Sequence, residues 1–367
     1  MPYNSQLFLD DYPGATIGGA ISATDTAIAT LSASSRLAAL RQANSRRQQG
    51  QSNIYLQNAS SRVIPQLMPL GVGVNTVAST RDTAMFFGAG NVFSGGISSV
   101  HAFDMSTKQM SFLGTRLIGT AQPQAGAVSS PSIAYIFADR VLDGFTFSTR
   151  AVSSLNASLP VPTQRSDGTP SAVGTGLIGV LNYYSSIQVL TYATLVVAAS
   201  GTTLTTNKAI HTASLQSPTN GYFIGGDTEN TAIAKVVLAT RVGTVLAAVL
   251  PAAIAFPAGV GNATVGYSVS GSTVSNWSVL TNAIQKLTYS TEAVSTVSAT
   301  LTQAVFVRHG SGNLTSGVMA GGHSPVYSYQ NFTDEFTYSS ETAARLSATL
   351  TSSPFQVASS STYSPGF

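Results

Sequence analysis

The residues that could do chemistry are few in this chain and are scattered along it. Four histidines lie at unrelated positions, and none has a second histidine or a carboxylate at the spacing of a metal site: His101, His211, His309 and His323. Asp139, Asp227 and Asp334 lie too far apart in sequence to be paired as a general acid and base. Because the chain has no cysteine, thiolate catalysis, disulfides and cysteine-ligated metals are excluded. We therefore expect a protein that is not an enzyme and that needs no cofactor or metal.

Aromatic residues are the better candidates, for binding rather than for catalysis. Trp277, Tyr327 and Tyr329 lie in irregular stretches that interrupt a repeated pattern, where they are candidates for ligand or partner contact. Three other tyrosines recur at one register of that pattern: Tyr192, Tyr289 and Tyr338. Their recurrence favours packing between repeats over the alternative, stacking on carbohydrate.

The element that positions these residues is a six-fold repeat running from residue 84 to the C-terminus. Six short apolar runs begin at Ala84, Ala134, Leu177, Gly221, Gly266 and Gly317 and read AMFFGA, AYIFAD, LIGVLN, GYFIGG, GYSVSG and GVMAGG. Their fifth residues are 50, 43, 44, 45 and 51 residues apart. A period in this range, with short strands in each unit, predicts a β-propeller.

A second aligned block follows each run after about 15 residues. Its third residue is aromatic or a large aliphatic: Met105, Phe147, Tyr192, Leu238, Tyr289 and Tyr338. Apolar residues alternate on both sides of a turn rich in Ser, Thr and charges, which predicts a β-hairpin. A further run completes each unit, as in AIAFPAGVGN from Ala253 and PFQVASSSTYS from Pro354. Each unit is therefore expected to supply four strands.

These units resemble kelch-type repeats of the galactose-oxidase-like fold. The runs YFIGG and VMAGG match the kelch strand that ends in a glycine pair, and LTYSTEAVSTVSATL and FTYSSETAARLSATL match its tyrosine-bearing hairpin. The repeated kelch tryptophan is missing, since Trp277 is the only tryptophan, and the glycine pair is lost in the second and third copies. The resemblance implies an all-β, six-bladed kelch-like propeller. Without cysteine, the chain cannot form the cysteine–tyrosine cross-link of a copper-radical oxidase.

The segment before the repeats has a different character. We expect residues 1–61 to form an N-terminal arm with one helix over about residues 21–49, and residues 62–367 to form the propeller, with a closing strand within 62–83. An apolar face and a set of arginines mark the helix: Ile21, Ile28, Leu31, Arg36, Arg41, Arg46 and Arg47. Two interpretations stay open. The helix either docks on an acidic surface of a partner subunit, as an attachment arm, or packs on the side of the propeller.

Composition narrows the class of protein. Charged residues make up only 8% of the chain, far below the usual quarter or so, and a charge-poor β protein without cysteine suits an extracellular assembly. The net charge of +3 is too small to indicate nucleic-acid binding. No apolar run approaches the roughly 20 residues of a membrane span, and the N-terminus lacks the pattern of a signal peptide.

The repeats and the arm together favour one function over two alternatives. Hairpins such as LTYSTEAV resemble repeats in predicted phage tail and fibre proteins. We expect a bacteriophage virion structural protein that is made in the host cytoplasm, forms a homo-oligomer and is attached to other virion subunits by its arm. Its propeller would serve a tail fibre or baseplate in host attachment, with a host surface glycan as the candidate ligand. The alternatives are a capsid head-decoration or neck protein, and a secreted or surface carbohydrate-binding lectin.

Overall fold

Alternating apolar residues and tight turns fold the repeats into β-strands. In the part of the chain that the computed structural model describes, 24 strands form six four-stranded antiparallel sheets. The structure describes residues 83–88, 98–118, 125–138, 141–155, 157, 159, 171–183, 186–203, 212–226, 230–274, 278–324, 329–351 and 357–361. All of them belong to one compact unit, Ser79–Phe367. Within this described part of the chain, no helix is long and apolar enough to cross a membrane.

The strands of each sheet, called a blade below, are as follows. Blade 1 contains β1 (Thr83–Gly88), β2 (Ser99–Asp104) and β3 (Gln109–Arg116), and blade 2 contains β4 (Gly126–Ser129), β5 (Ile133–Ala138), β6 (Val141–Thr146) and β7 (Ala151–Leu155). Blade 3 contains β8 (Ser171–Gly174), β9 (Ile178–Tyr183), β10 (Ser186–Thr191) and β11 (Val196–Thr203). Blade 4 contains β12 (Thr212–Gln216), β13 (Asn220–Gly225), β14 (Asn230–Val237) and β15 (Gly243–Ile254). Blade 5 contains β16 (Ala258–Gly261), β17 (Val265–Ser272), β18 (Leu280–Thr288) and β19 (Ala293–Thr300), and blade 6 contains β20 (His309–Gly312), β21 (Ser316–Ala320), β22 (Phe332–Thr337) and β23 (Thr342–Thr349). The last strand, β24 (Val357–Ser361), returns to blade 1.

The six sheets form the predicted six-bladed β-propeller. The first strand of each blade packs beside those of its two neighbours, so β24, β4, β8, β12, β16 and β20 form a closed inner ring. Each blade then continues outward through its second, third and outer strands. The prediction of four antiparallel strands per blade is therefore confirmed.

The structure corrects the assignment of the fourth run to its blade. The run AIAFPAGVGN was grouped with the unit before it, but β16 pairs with β17 and is the inner strand of blade 5. The run from Pro354 likewise supplies β24, which pairs with β1 and closes the ring. The closing strand expected within residues 62–83 lies outside the described residues, apart from Thr83, which begins β1.

The alignment of the third repeat was wrong by two residues. In blades 2 and 4, the first residues of the aligned runs, Ala134 and Gly221, pair with Phe145 and Val236 of the third strand. In blade 3 the equivalent residue, Leu190, pairs with Gly179 rather than with Leu177. A shift of two residues keeps every side chain on the same face of a strand, so the apolar pattern could not reveal it.

The two ends of the propeller differ. At one end, called the turn end below, short turns join inner to second strands and third to outer strands. A Ser, Thr or Asn side chain accepts a hydrogen bond from the N–H three residues later in each inner turn: Ser130, Thr175, Ser217, Asn262 and Asn313. At the other end, the loop end, the connections vary widely in length, from residues 139–140 of blade 2 to residues 321–331 of blade 6.

Each turn between a third and an outer strand places one non-glycine residue in the left-handed region, with φ between 50° and 63°: Lys108, Arg150, Leu195, Arg241, Glu292 and Glu341. The L-configuration makes this conformation unfavourable by about 1 kcal/mol or more, whereas glycine adopts it freely. The fold therefore carries the same small strain six times, once in every blade.

Replacing Arg150 with glycine is expected to raise the free energy of unfolding by about 0.5 kcal/mol, because relief of the left-handed strain exceeds the added entropy of the unfolded chain. The matched control is Thr149→Gly, one residue earlier and not left-handed, which should lower stability by up to about 1 kcal/mol. Chemical denaturation measures both values. Equal losses of stability in the two variants would contradict the prediction.

The recurring tyrosines pack between blades, as predicted. Tyr192, Tyr289 and Tyr338 each stack on a tyrosine in the second strand of the preceding blade: Tyr135 at 4.7 Å, Tyr222 at 5.1 Å and Tyr267 at 5.6 Å between ring centroids. The hydroxyl of Tyr192 also donates a hydrogen bond to the carbonyl of Ser129 in blade 2. Burial raises the pKa of Tyr192 well above its usual value, so the phenol stays neutral. These tyrosines are therefore part of the core.

A second column of contacts between blades depends on glycine. A Cβ atom added at Gly179 would lie 2.8 Å from Val128, and one added at Gly317 would lie 2.7 Å from Cγ1 of Val260 and would also overlap its Cβ. Both valines belong to the inner strand of the preceding blade, so glycine is required for the blades to approach closely. At the boundary between blades 6 and 1, Ser311 occupies the position of the valine and Ala84 the position of the glycine. There a residue smaller than valine faces a residue larger than glycine.

A column of buried residues on the third strands contains a polar residue in five of the six blades: His101, Asp143, Gln188, Gln285 and Asp334. Blade 4 has Ala234 at the equivalent position. Asp143 accepts a hydrogen bond from the N–H of Ile118 at 2.9 Å, and Gln285 bonds both backbone groups of Ala252. Buried polar groups need such partners, so in these blades the column ties the third strand to the chain that arrives from the blade before it. We call these residues the latch column.

Candidate functional site

One of the three residues predicted to contact a ligand or partner is described, and it lies at the loop end. Tyr329 follows β21 in blade 6, and its ring packs against the ring of His323 with 5.2 Å between centroids. Trp277 and Tyr327 lie outside the described residues, in the connections β17–β18 and β21–β22. The strands that carry these two connections belong to neighbouring blades. The boundary between blades 5 and 6 is therefore the candidate site.

The predicted N-terminal arm, with its helix over residues 21–49, lies entirely outside the described residues. The same holds for each residue assigned to partner binding in it: Ile21, Ile28, Leu31, Arg36, Arg41, Arg46 and Arg47. Its role as an attachment element stays a prediction.

Four aromatic rings form a continuous row at the loop end of this boundary. Phe256 contacts Phe306 edge-on at 5.8 Å, Phe306 contacts His323 edge-on at 5.0 Å, and His323 leads to Tyr329. Phe306 and His323 also exchange two backbone hydrogen bonds of 3.1 and 2.9 Å. Because the row joins the chain entering blade 5, the chain entering blade 6 and the long loop of blade 6, it fixes their relative positions. We call it the aromatic row.

Backbone strain accompanies the aromatic row. Phe256 and Val307 both adopt positive φ, 55° and 52°, at equivalent points just before the inner strands of blades 5 and 6. A β-branched residue such as valine is rarely found there. Strain of this kind, of order 1–3 kcal/mol per residue, persists only where the surroundings over-determine the backbone, and it is concentrated at binding sites and catalytic sites.

A glycine pair opposite these strained residues explains how the chain can take this course. Gly321 and Gly322 have φ of 71° and 108°, and a Cβ added at Gly322 would lie 3.1 Å from the carbonyl oxygen of Phe306. In blade 5 the first of the pair is Ser270, which keeps φ at 61° and exchanges hydrogen bonds with the backbone of Val305. The glycine pairs seen in the sequence therefore allow close approach of the chain that leads into the inner strand of the same blade.

An ionic cluster lies between β20, β22 and β23, within blade 6. The guanidinium of Arg308 is buried, and it donates hydrogen bonds to Asp334 at 2.7 Å and to the carbonyl of Met319 at 2.5 Å. Asp334 also accepts hydrogen bonds from Arg345 at 2.5 Å and from Thr302 at 3.2 Å. Burial lowers the pKa of Arg308, and the adjacent carboxylate of Asp334 opposes that shift.

The structure assigns structural roles to some of the residues that were considered as acids, bases or metal ligands. Asp334 is fully committed to two arginines and a threonine, so it is not a free acid or base. Burial lowers the pKa of His323 within the aromatic row, which keeps its ring neutral at pH 7. Asp139, Asp227 and His211 lie outside the described residues. Among the residues that the structure does describe, no three His, Asp or Glu side chains are grouped so that they could hold a metal ion.

The prediction from sequence missed the latch column and the ionic cluster. The latch residues lie two positions before the apolar residue that opens the aligned hairpin block, for example His101 before Phe103 and Asp334 before Phe336. A polar residue recurring within an apolar strand was the available signal. For Arg308 the available signal was a charged residue in a chain that has few of them. It lies just before the inner strand of blade 6, at the position equivalent to Pro257 in blade 5.

No protein family model matches this sequence, and none of the curated proteins is significantly similar to it. The function must therefore be argued from the propeller itself. At its loop end, a largely buried row of aromatic rings with strained backbone lies beside buried ionic contacts, and together they fix the chain that enters blades 5 and 6.

Proposed function

We propose that this chain is a bacteriophage virion structural protein that serves attachment to the host. Its kelch-like propeller is held on the particle by the N-terminal arm, residues 1–61, as a component of a tail fibre or baseplate. Several copies assemble with other virion subunits. The loop end of the propeller is the binding surface, and it carries out no covalent chemistry.

The observation that carries the proposal is the difference between the two ends of the propeller. Uniform short turns build the turn end, whereas loops of very different length build the loop end. Loops on a rigid scaffold can vary without disturbing the core, and they are the usual place for recognition. The irregular connections of blades 5 and 6, with Trp277, Tyr327 and Tyr329, therefore make the contact.

The side chains that could act as catalytic groups have structural roles instead. His101, Asp143 and Asp334 are each less than 3% exposed and bind the chain that enters their blade. The outer strands β7, β11, β15 and β19 contain no charged residue. An outer wall that is uncharged over blades 2 to 5 suits a subunit that is packed among others in a particle better than an enzyme that attracts a charged substrate.

The experiment replaces Trp277, Tyr327 and Tyr329 with alanine together, in the full chain on an assembled particle, and measures adsorption to host cells separately from incorporation. We expect normal incorporation and a loss of adsorption of tenfold or more, since aromatic anchors dominate binding energy. The matched control is Leu177→Ala, an exposed residue at the turn end, which should change neither quantity. Thermal unfolding of the purified triple variant verifies that it is folded.

Three other outcomes separate the alternatives. Normal adsorption with lost incorporation would indicate that these loops contact a neighbouring subunit, as in a head-decoration or neck protein. Binding of the purified chain to isolated host glycans, with no incorporation of the unmodified protein into particles, would indicate a secreted or surface lectin. Normal adsorption together with normal incorporation would remove the loops from any contact and overturn the proposal.

A further inference from the structure

The ring of blades closes between blades 6 and 1, and this junction differs from the other five. In blades 2 to 6 a tight turn connects the inner strand directly to the second strand of the same blade. In blade 1 the inner strand is β24, which comes from the far end of the chain and pairs with β1 only through hydrogen bonds. Ser359 adds one contact, donating its hydroxyl to the carbonyl of Gly310 in blade 6 at 2.7 Å. The ring therefore depends on whatever holds β24 in place.

The latch residue of blade 1 binds Thr351, which lies between β23 and β24 in the chain. His101 is 2% exposed, and its Nε2 atom accepts a hydrogen bond from the N–H of Thr351 at 3.3 Å. The hydroxyl of Thr351 lies 2.8 Å from the same nitrogen. A nitrogen that accepts a backbone N–H cannot itself carry a proton, so the neutral ring with its proton on Nδ1 is required.

The latch column differs in chemistry from blade to blade. Glutamines that cannot titrate fill it in blades 3 and 5, and aspartates that bind the incoming chain as hydrogen-bond acceptors fill it in blades 2 and 6. Only the blade that closes the ring has a histidine, the side chain whose charge ordinarily changes between pH 5 and 8. We propose that His101 is an acid-sensitive latch, whose protonation disrupts its contact with Thr351 and weakens the pairing of β24 with β1, where the ring closes between blades 6 and 1.

The charged groups around this junction do not offset protonation. Asp104 on the strand of His101, Arg116 on β3 and Arg345 on β23 are the charged residues on the strands around it, while β1 and β24 carry none. The Lys108–Glu335 ion pair spans the same boundary at the turn end. Burial alone accounts for the lowered pKa of His101, without a contribution from these groups.

A second histidine at this boundary acts in the same direction. His309 begins the inner strand of blade 6, next to β24, and burial lowers its pKa from 6.5 to about 4. A group with a lower pKa in the closed ring than in the open one binds protons on opening. Acid therefore favours the open ring, and closure is fully stable only above about pH 6.5. The contribution of His309 weakens progressively as the pH falls from there toward about 4.

Hydrogen exchange of the full-length protein at pH 7 and pH 5, corrected for intrinsic rates, tests the latch. We expect the amides of Thr351 and β24, and the edge of β1 facing them, to lose protection by about tenfold or more at pH 5 relative to those of β12. His101→Gln installs the residue found in blades 3 and 5 and should reduce that loss to less than about threefold. Chemical denaturation of His101→Gln at pH 7 establishes that it is folded.

His323→Gln is the matched control, since it removes a buried histidine away from the closing strand, and it should lose protection like the unmodified protein. Unchanged protection of β24 at pH 5, or a uniform loss in all blades, would overturn the proposal. So would an undiminished loss in His101→Gln, with abolition of the loss in His309→Gln, because His309 would then be the responsible group.

Discussion

Replacing Asp334 with asparagine is expected to lower the free energy of unfolding by about 3–5 kcal/mol, among the largest effects of any single substitution in this protein. The side chain of Arg308 is only 1% exposed, and among the described residues Asp334 is the only carboxylate paired with it. Asparagine keeps the size of the side chain but removes its charge, so the guanidinium of Arg308 is left buried without compensation. Chemical denaturation at pH 7 measures the loss.

Two further variants separate charge from packing. Asp104→Asn removes an exposed carboxylate that accepts hydrogen bonds from Ser106 and Thr107, and it should cost less than about 1 kcal/mol. The double variant Arg308→Met with Asp334→Leu replaces the buried pair by apolar side chains and should recover most of the loss. If Asp334→Asn cost no more than Asp104→Asn, Arg308 would not depend on this partner.

Replacing Gly317 with alanine is expected to lower stability by about 3 kcal/mol, through steric overlap between blades 5 and 6. The added Cβ would lie 2.8 Å from the hydroxyl of Tyr338 and 2.7 Å from Cγ1 of Val260, and both side chains are held in a packed core. The matched control is Gly114→Ala, where φ is +72° but no atom lies within 4 Å of the new Cβ. That control should cost about 1–2 kcal/mol, from backbone strain alone.

A second substitution tests the cause of the Gly317 effect. Val260→Gly removes both the Cβ of residue 260, the atom nearest to the added Cβ, and Cγ1, so in the Gly317→Ala background it should be less harmful than alone, or even restore stability. The boundary between blades 6 and 1 already has such a combination, Ser311 opposite Ala84. Strictly additive losses in the double variant, measured by thermal unfolding, would show that the two positions are independent.

The sequence by itself determined the repeat, the number of blades and the hairpins within them. The turn between β18 and β19 and the core position of Tyr289 follow from local alternation of apolar and polar residues, which is a property of neighbouring residues. The same is true of the glycine pairs, because positive φ at Gly321 and Gly322 is a local demand that few other residues meet.

Only the tertiary structure decided which strands belong together. The run AIAFPAGVGN, which contains β16, could join blade 4 or blade 5 with the same local pattern, and only packing around the ring places it in blade 5. A two-residue shift at Gly179 preserves strand alternation, so only pairing with Leu190 reveals it. The latch between His101 and Thr351 joins residues 250 positions apart. No local pattern can indicate such a contact, because its free energy exists only once the ring has closed.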